Sequence, residues 1–215
     1  MFEYILFDLD GTLTDPKEGI TKSVQYALKQ CGIVVEDADT LIPFIGPPLR
    51  ESFKTFYGFD DAKAEWAVAQ YRVYFTQKGI YENAIYDGVA ALLAKLQAAG
   101  KTLILATSKP AVYAEEILKH FDIYDYFTFI SGSELDGRRS KKSEVIGYAL
   151  EQMNISALDA VVMVGDKEHD IIGAKEIGIY SIGVLYGYGD YEELSRANAN
   201  QIAASVCELA EILTK

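Results

Sequence analysis

Asp8 and Asp10 stand two residues apart in Phe7-Asp8-Leu9-Asp10-Gly11-Thr12-Leu13-Thr14, directly after the apolar run Tyr4-Ile5-Leu6-Phe7. Side chains repeat every two residues along a strand, so both carboxylates are expected to leave the strand end on the same side. Gly11 lets the chain turn sharply behind them. Two carboxylates held a few ångströms apart repel unless one takes a proton or a cation lies between them. Such a pair divides into a nucleophile and an acid/base. An isolated Asp-x-Asp is more often a strand running into a polar turn, and the rest of the chain decides against that reading here.

Three further groups of chemistry-bearing residues follow apolar runs. Leu105-Ala106-Thr107-Ser108-Lys109 puts a hydroxyl pair after one run, with Pro110 marking a helix start whose exposed amides suit a phosphate. Val164-Gly165-Asp166-Lys167-Glu168-His169-Asp170 places one acid after another run and a second acid a helical turn further on. Lys142 precedes a helix carried by Val145, Ile146, Ala149 and Leu150. In open α/β sheets ligands bind outside the carboxyl ends of the strands, so all four segments are expected to converge on one crevice.

The elements that must position these residues can be read from period and punctuation. Asp15-Pro16-Lys17-Glu18 has the form of an N-cap with proline at the first helical position and a closing glutamate. Ile20, Val24, Ala27, Leu28 and Cys31 then make one apolar face, and Gly32 ends it. Helical patterns alone continue to about residue 80, one opened by Pro47-Pro48 and a longer one from Asp60 to Lys78 carrying Trp66, Tyr71, Tyr74 and Phe75 as core. From Tyr86-Asp87-Gly88-Val89 onward, helices alternate with the apolar runs Leu103–Ala106, Phe127–Ile130, Ala160–Val164 and Tyr180–Val184, the pattern of a parallel sheet covered on both faces. The expected fold is α/β: a Rossmann-like, doubly wound parallel sheet over residues 1–14 and 86–215, interrupted by an all-helical cap over residues 15–85. Hinges are expected near residues 15 and 85.

Half of the 215 residues are hydrophobic, enough for a full core and a smaller second domain. A net charge of -12 argues against broad binding to nucleic acid or an anionic membrane. Without a basic, apolar leader or a run of membrane-spanning length, a cytoplasmic protein is expected. Cys31 and Cys207, too few and too far apart for a metal knuckle or redox pair, suit buried structural positions in a reducing compartment.

In order and spacing, Asp8-Leu9-Asp10-Gly11-Thr12, Thr107, Lys142 and Gly165-Asp166 with Asp170 resemble the four motifs of the haloacid dehalogenase superfamily, over essentially the whole chain. The helical insert and Thr107-Ser108-Lys109-Pro110 are similar to the phosphoglycolate phosphatase-like subfamily. Its dehalogenases lack the second Asp, so Asp10 points to phosphate chemistry. The resemblance implies Asp8 as nucleophile and Asp10 as acid and then base. It implies Mg²⁺ held by Asp8, Asp166 and the backbone carbonyl of Asp10, with Asp170 behind them. Hard oxygen ligands suit Mg²⁺ better than zinc. Thr107 and Lys142 complete the catalytic set, Lys142 being preferred to Lys141 by the apolar phase of the helix that follows. Phosphate and substrate contacts are expected from Gly11, Thr12, Thr107, Ser108, Lys109 and Lys142. In the cap, Arg50 of Phe44-Ile45-Gly46-Pro47-Pro48-Leu49-Arg50 is expected to clamp a second anionic group of the substrate.

The activity implied is hydrolysis of small phosphomonoesters through an aspartyl-phosphate, most like phosphoglycolate phosphatases. A 5'-nucleotidase, a pyrophosphatase, a β-phosphoglucomutase-like mutase and a non-enzymatic binding module are the alternatives. The expected partner is a small phosphorylated metabolite, and the expected state a monomer or homodimer. His169 is expected to be a surface residue. Tyr186, Tyr188 and Tyr191, after the run ending at Val184, receive no role.

Overall fold

The computed structural model describes residues 2–214. The chain folds as two units, one built from the residues up to Asp15 and from Ile85 onward, the other from Pro16–Ala84.

The strands are β1 (Tyr4–Phe7), β2 (Thr14–Asp15), β3 (Ala84–Ile85), β4 (Thr102–Pro110), β5 (Phe129–Ser133), β6 (Val161–Gly165), β7 (Tyr180–Val184) and β8 (Gln201–Ala203). Six form a parallel sheet in the order β5-β4-β1-β6-β7-β8. The helices are α1 (Lys17–Gln30), α2 (Leu49–Tyr57), α3 (Asp61–Tyr74), α4 (Val89–Ala98), α5 (Ala111–His120), α6 (Lys142–Gln152), α7 (Glu168–Ile177), α8 (Tyr191–Arg196) and α9 (Val206–Leu213). Leu6, Ile104 and Met163 of the central strands share a core with Val145, Ile146 and Ala149 of α6 and Ala174 of α7. The alternate residues Ile5, Phe7, Leu105, Val162 and Val164 are equally buried on the opposite face, as the two-residue period requires. Burial on both faces is why these strands read as continuous apolar runs. This is the Rossmann-like, doubly wound architecture expected from the sequence.

Strand order positions the chemistry. Phe7 of β1 pairs with Leu105 of β4 on one side and with Val164 of β6 on the other. Asp8, Thr107 and Asp166 therefore emerge from three adjacent strands at the same end of the sheet. The chain runs outward from β1 through β4 to β5, then returns to β6 on the far side of β1. That reversal is a topological switch point, where the strand ends diverge and leave a crevice.

In the helical unit, Val24, Ala27 and Leu28 of α1 are buried, as are Leu41, Phe44, Phe53, Phe59, Tyr71 and Phe75. The Phe53 and Phe59 rings stack with centroids 5.9 Å apart.

Several local expectations are corrected. The Asp15 side chain does not cap α1: Pro16 is the N-cap residue without a side-chain bond, and the Asp15 carboxylate accepts from the Tyr188 hydroxyl instead. The long cap helix is α3, capped by Asp60 through Lys63 N–H at 2.8 Å, followed by a π-helical turn over Phe75–Gly79. Trp66 is 45% exposed rather than core. Neither cysteine is buried, because Cys207 falls on the face of α9 opposite Leu209 and Leu213, and Cys31 ends α1 half-buried. Beyond the run at Tyr180–Val184 a further strand not expected from the sequence, β8, adds an edge to the sheet. Among the described residues no helix is long and apolar enough to cross a membrane.

Candidate active site

The loop leaving β1 is wound tightly on itself. Asp8 N–H donates to Val164 O at 2.9 Å, while the amides of Thr12, Leu13 and Thr14 all reach Leu9 O, at 3.2, 2.9 and 3.0 Å. Gly11 has φ +83°, and a Cβ there would lie 2.1 Å from Asp166 Oδ2. Both the left-handed backbone and the approach of the β6 carboxylate demand glycine.

Carboxylate oxygens of Asp8, Asp166 and Asp170 lie within 4.8 Å of one another, all three residues buried. Local backbone aims them. Asp166 Oδ2 accepts from Tyr188 N–H at 2.7 Å, and Asp170 Oδ2 accepts from Lys167 N–H at 3.1 Å at the start of α7. Each thus has one oxygen pinned by an amide. Asp166 Oδ1 is buried without a hydrogen-bond partner among the described residues, and Asp170 Oδ1 is engaged only by the Lys142 ammonium.

Lys142, the first residue of α6, places Nζ 2.8 Å from Oδ1 of both Asp8 and Asp170 and donates to Ala106 O at 3.0 Å. Lys141 is exposed. Asp10 stands apart from the three-acid group: Lys109 Nζ lies 2.5 Å from its Oδ2, leaving Oδ1 buried and without a hydrogen-bond partner among the described residues. Lys109, expected on a phosphate, is engaged with a carboxylate.

Burial pushes the Asp10 carboxyl up, with Asp8 adding to the rise and Lys109 and Lys142 opposing it. Burial, reinforced by the charges of Asp170 and Asp8, holds Asp166 well above the usual carboxylate range. Asp170 is raised to about 6, again first by burial, against the pull of Lys142. Burial disfavours the Lys142 ammonium, but Asp170 and Asp8 outweigh it and the net shift is upward. With all four carboxyls ionised, they exceed the two ammonium groups by two negative charges. A divalent cation matches that excess, and buried, unpartnered carboxylate oxygens are hard ligands of the kind Mg²⁺ takes. Asp8, Asp166 and Asp170 fit such an ion.

The remaining candidates fall as follows. Thr107 is buried at the end of the regular part of β4, its hydroxyl accepting from Lys109 N–H at 3.2 Å. Ser108 lies within β4, where the pairing with β5 shifts register between Ala106 and Pro110; α5 starts only at Ala111, so Ser108 and Lys109 precede the helix. Thr12 is fully buried, with no hydrogen-bond partner for its hydroxyl among the described residues. Arg50, in the helical unit, is 3.3 Å from Asp61, which also takes Lys54 at 3.0 Å. His169 is exposed, and Lys167 pairs with Glu193 at 2.7 Å. The Lys109–Asp10 pair and the Tyr188 contacts escape a sequence reading. The Gly-Tyr-Gly spacing was the only signal for the latter.

Residues 5–184 match the haloacid dehalogenase-like hydrolase family. The chain is 47% identical over 209 residues to a 5'-nucleotidase of Pseudomonas aeruginosa, covering 97% of this chain and 94% of that protein. It is 38% identical to the tyrosine-protein kinase PtkA of Mycobacterium tuberculosis, over 98% of this chain and 72% of that one. A crystal structure of a predicted phosphatase from Clostridium acetobutylicum superposes with a TM-score of 0.97 at 51% identity, over 100% of this chain and 99% of that one. The chain belongs to the haloacid dehalogenase-like hydrolase family and is an enzyme of its phosphatase class.

Proposed function

We propose that this protein is a Mg²⁺-dependent phosphatase of small phosphomonoesters, acting through an aspartyl-phosphate on Asp8. The observation that carries the reading is the division of the buried acids: Asp8 joins Asp166 and Asp170 beside Lys142, while Asp10 is held separately by Lys109.

In the first step an Asp8 carboxylate oxygen attacks phosphorus, the ester P–O bond breaks, and the departing alkoxide takes a proton from Asp10. In the second, Asp10 removes a proton from water, the water oxygen attacks phosphorus, and the bond to Asp8 breaks to release inorganic phosphate. A carboxylate approaching a phosphate dianion is opposed by Coulomb repulsion. Lys142, already on Asp8, offsets part of it, and the Thr107 and Thr12 hydroxyls are assigned to the phosphoryl oxygens. A bound Mg²⁺ supplies further charge compensation between carboxylate and phosphate.

Nucleoside 5'-monophosphates are the favoured substrates over phosphoglycolate, on the strength of the 47% identical 5'-nucleotidase. Specificity is assigned to the helical unit. A substrate role for Arg50 requires it to leave Asp61, its partner here. The test is phosphate release across a panel of nucleotides, phosphoglycolate, sugar phosphates and pyrophosphate, with products identified and a chelator arm. Isomerised sugar phosphate would mark a mutase. A phosphotyrosine product on a protein acceptor would mark a kinase, and undiminished phosphate release in chelator would refute the metal.

A further inference from the structure

The turn Tyr186-Gly187-Tyr188-Gly189, between β7 and α8, is the part of the α/β unit that the reaction leaves without a task. It rests on Asp166. Besides the bond from Tyr188 N–H to Asp166 Oδ2, a Cβ on Gly187 would fall 2.2 Å from Gly11 O and 2.6 Å from Asp166 Oδ2, so only glycine admits this approach. A backbone with glycine on either side of Tyr188 has little stiffness of its own. Side chains must therefore hold the turn. The Tyr188 hydroxyl donates to Asp15 Oδ1, and the Tyr186 ring meets the Tyr86 ring edge-on at 5.2 Å. Asp15 lies on β2, the last residue of the α/β unit before the chain enters the helical one. This also explains why Asp15 does not cap α1.

We infer that Tyr188 is a positioning residue for the metal ligand Asp166: its amide fixes Oδ2 so that Oδ1 faces Asp8 and Asp170, and its hydroxyl, anchored on Asp15, fixes the amide. The inference rests on the metal reading given above. Partners behind a ligand set its orientation, and their loss weakens metal binding even where every ligand remains.

The test is calorimetric titration of Mg²⁺ into the full chain and its variants, with thermal denaturation in chelator as the folding control. Tyr188→Phe keeps the ring and the amide and deletes the hydroxyl, with its bonds to Asp15 and Tyr86; it is expected to raise the Kd for Mg²⁺ about tenfold, and excess Mg²⁺ is expected to restore turnover. Asp15→Ala should weaken binding in the same direction, and the double variant should be no weaker than Tyr188→Phe alone, because both cut the connection between Tyr188 and Asp15. Asp15→Asn, which keeps an acceptor, should fall between. Tyr191→Phe, at an exposed position, should bind as the wild type does. Wild-type affinity in both Tyr188→Phe and Asp15→Ala would overturn the inference, as would a loss of turnover that excess Mg²⁺ does not restore. Absence of Mg²⁺ binding by the wild type would instead refute the metal reading, and this inference with it.

Discussion

Lys109 Nζ lies 2.5 Å from Asp10 Oδ2, with the two side chains 7% and 11% exposed. The residue assigned as acid and base thus meets a buried ammonium within its own unit. Burial alone would favour a neutral Asp10, and Lys109 works against it. The pair also fixes the carboxylate's direction, since Oδ2 is taken and Oδ1 has no hydrogen-bond partner among the described residues.

Lys109→Met should therefore act through proton transfer. A charge-assisted hydrogen bond contributes about 1.5 to 3 kcal/mol, which corresponds to roughly tenfold to a hundredfold in rate. The loss in kcat/KM should appear on alkyl phosphates, whose leaving groups need the proton, and shrink on p-nitrophenyl phosphate. Asp10→Asn should show the same leaving-group dependence more strongly. Equal losses on both substrate types would place Lys109 on the phosphate instead.

Asp8→Asn should abolish turnover on every substrate, because the proposed reaction passes through an aspartyl-phosphate on Asp8. Acid quench of the wild type during turnover, followed by peptide mass spectrometry, should find a phosphoryl group on the peptide containing Asp8. A phosphoryl adduct elsewhere, or none under turnover, would refute the covalent step.

The acidic cluster also sets a pH dependence with a definite sign. Asp166 and Asp170 have folded-state pKa values above the ordinary carboxyl range, Asp170 at about 6, so the metal-free folded state binds more protons than the unfolded one across that window. The stability of the metal-free protein from these groups therefore falls as pH rises from the unfolded carboxyl pKa, about 3.9, through the folded values. A cation replaces those protons. The rise in Tm on adding Mg²⁺, measured against chelator, should be larger at about pH 8 than at about pH 5. Asp166→Asn should leave stability in chelator little changed and remove most of that rise.

What the sequence made legible follows from how local each signal is. The central strands were readable because burial on both faces writes a continuous apolar run, whereas β8, three residues opening on exposed Gln201, leaves no such trace. Asp8 and Asp166 could be placed because each directly follows a strand, and Thr107 because it closes the apolar run of β4. The helix start after Asp15-Pro16 was legible, but its cap was not, because the Asp15 carboxylate is claimed by Tyr188, a partner 173 positions away that no local rule can weigh against a cap. The Lys109–Asp10 pair, spanning 99 positions, is hidden for the same reason.

Lys142 and Lys141 provide the sharpest contrast between neighbours. The start of α6 puts Val145, Ile146 and Ala149 into the sheet-facing core, and Lys142 shares their burial while Lys141 stays outside as the N-cap residue. Removing the Lys142 ammonium leaves Asp8 and Asp170 buried without their cation, an effect of about 3–5 kcal/mol when one partner of a buried pair is deleted. Lys142→Met should therefore lower stability by that order and remove turnover. Mg²⁺ should recover part of the stability, because it compensates the same carboxylates, but not the turnover, because it does not replace the ammonium beside Asp8. Lys141→Met should change stability by no more than about 0.5 kcal/mol and keep near wild-type activity. Chemical denaturation with and without Mg²⁺, paired with phosphate release, measures all four quantities. Loss of activity in Lys141→Met together with its retention in Lys142→Met would reverse the assignment.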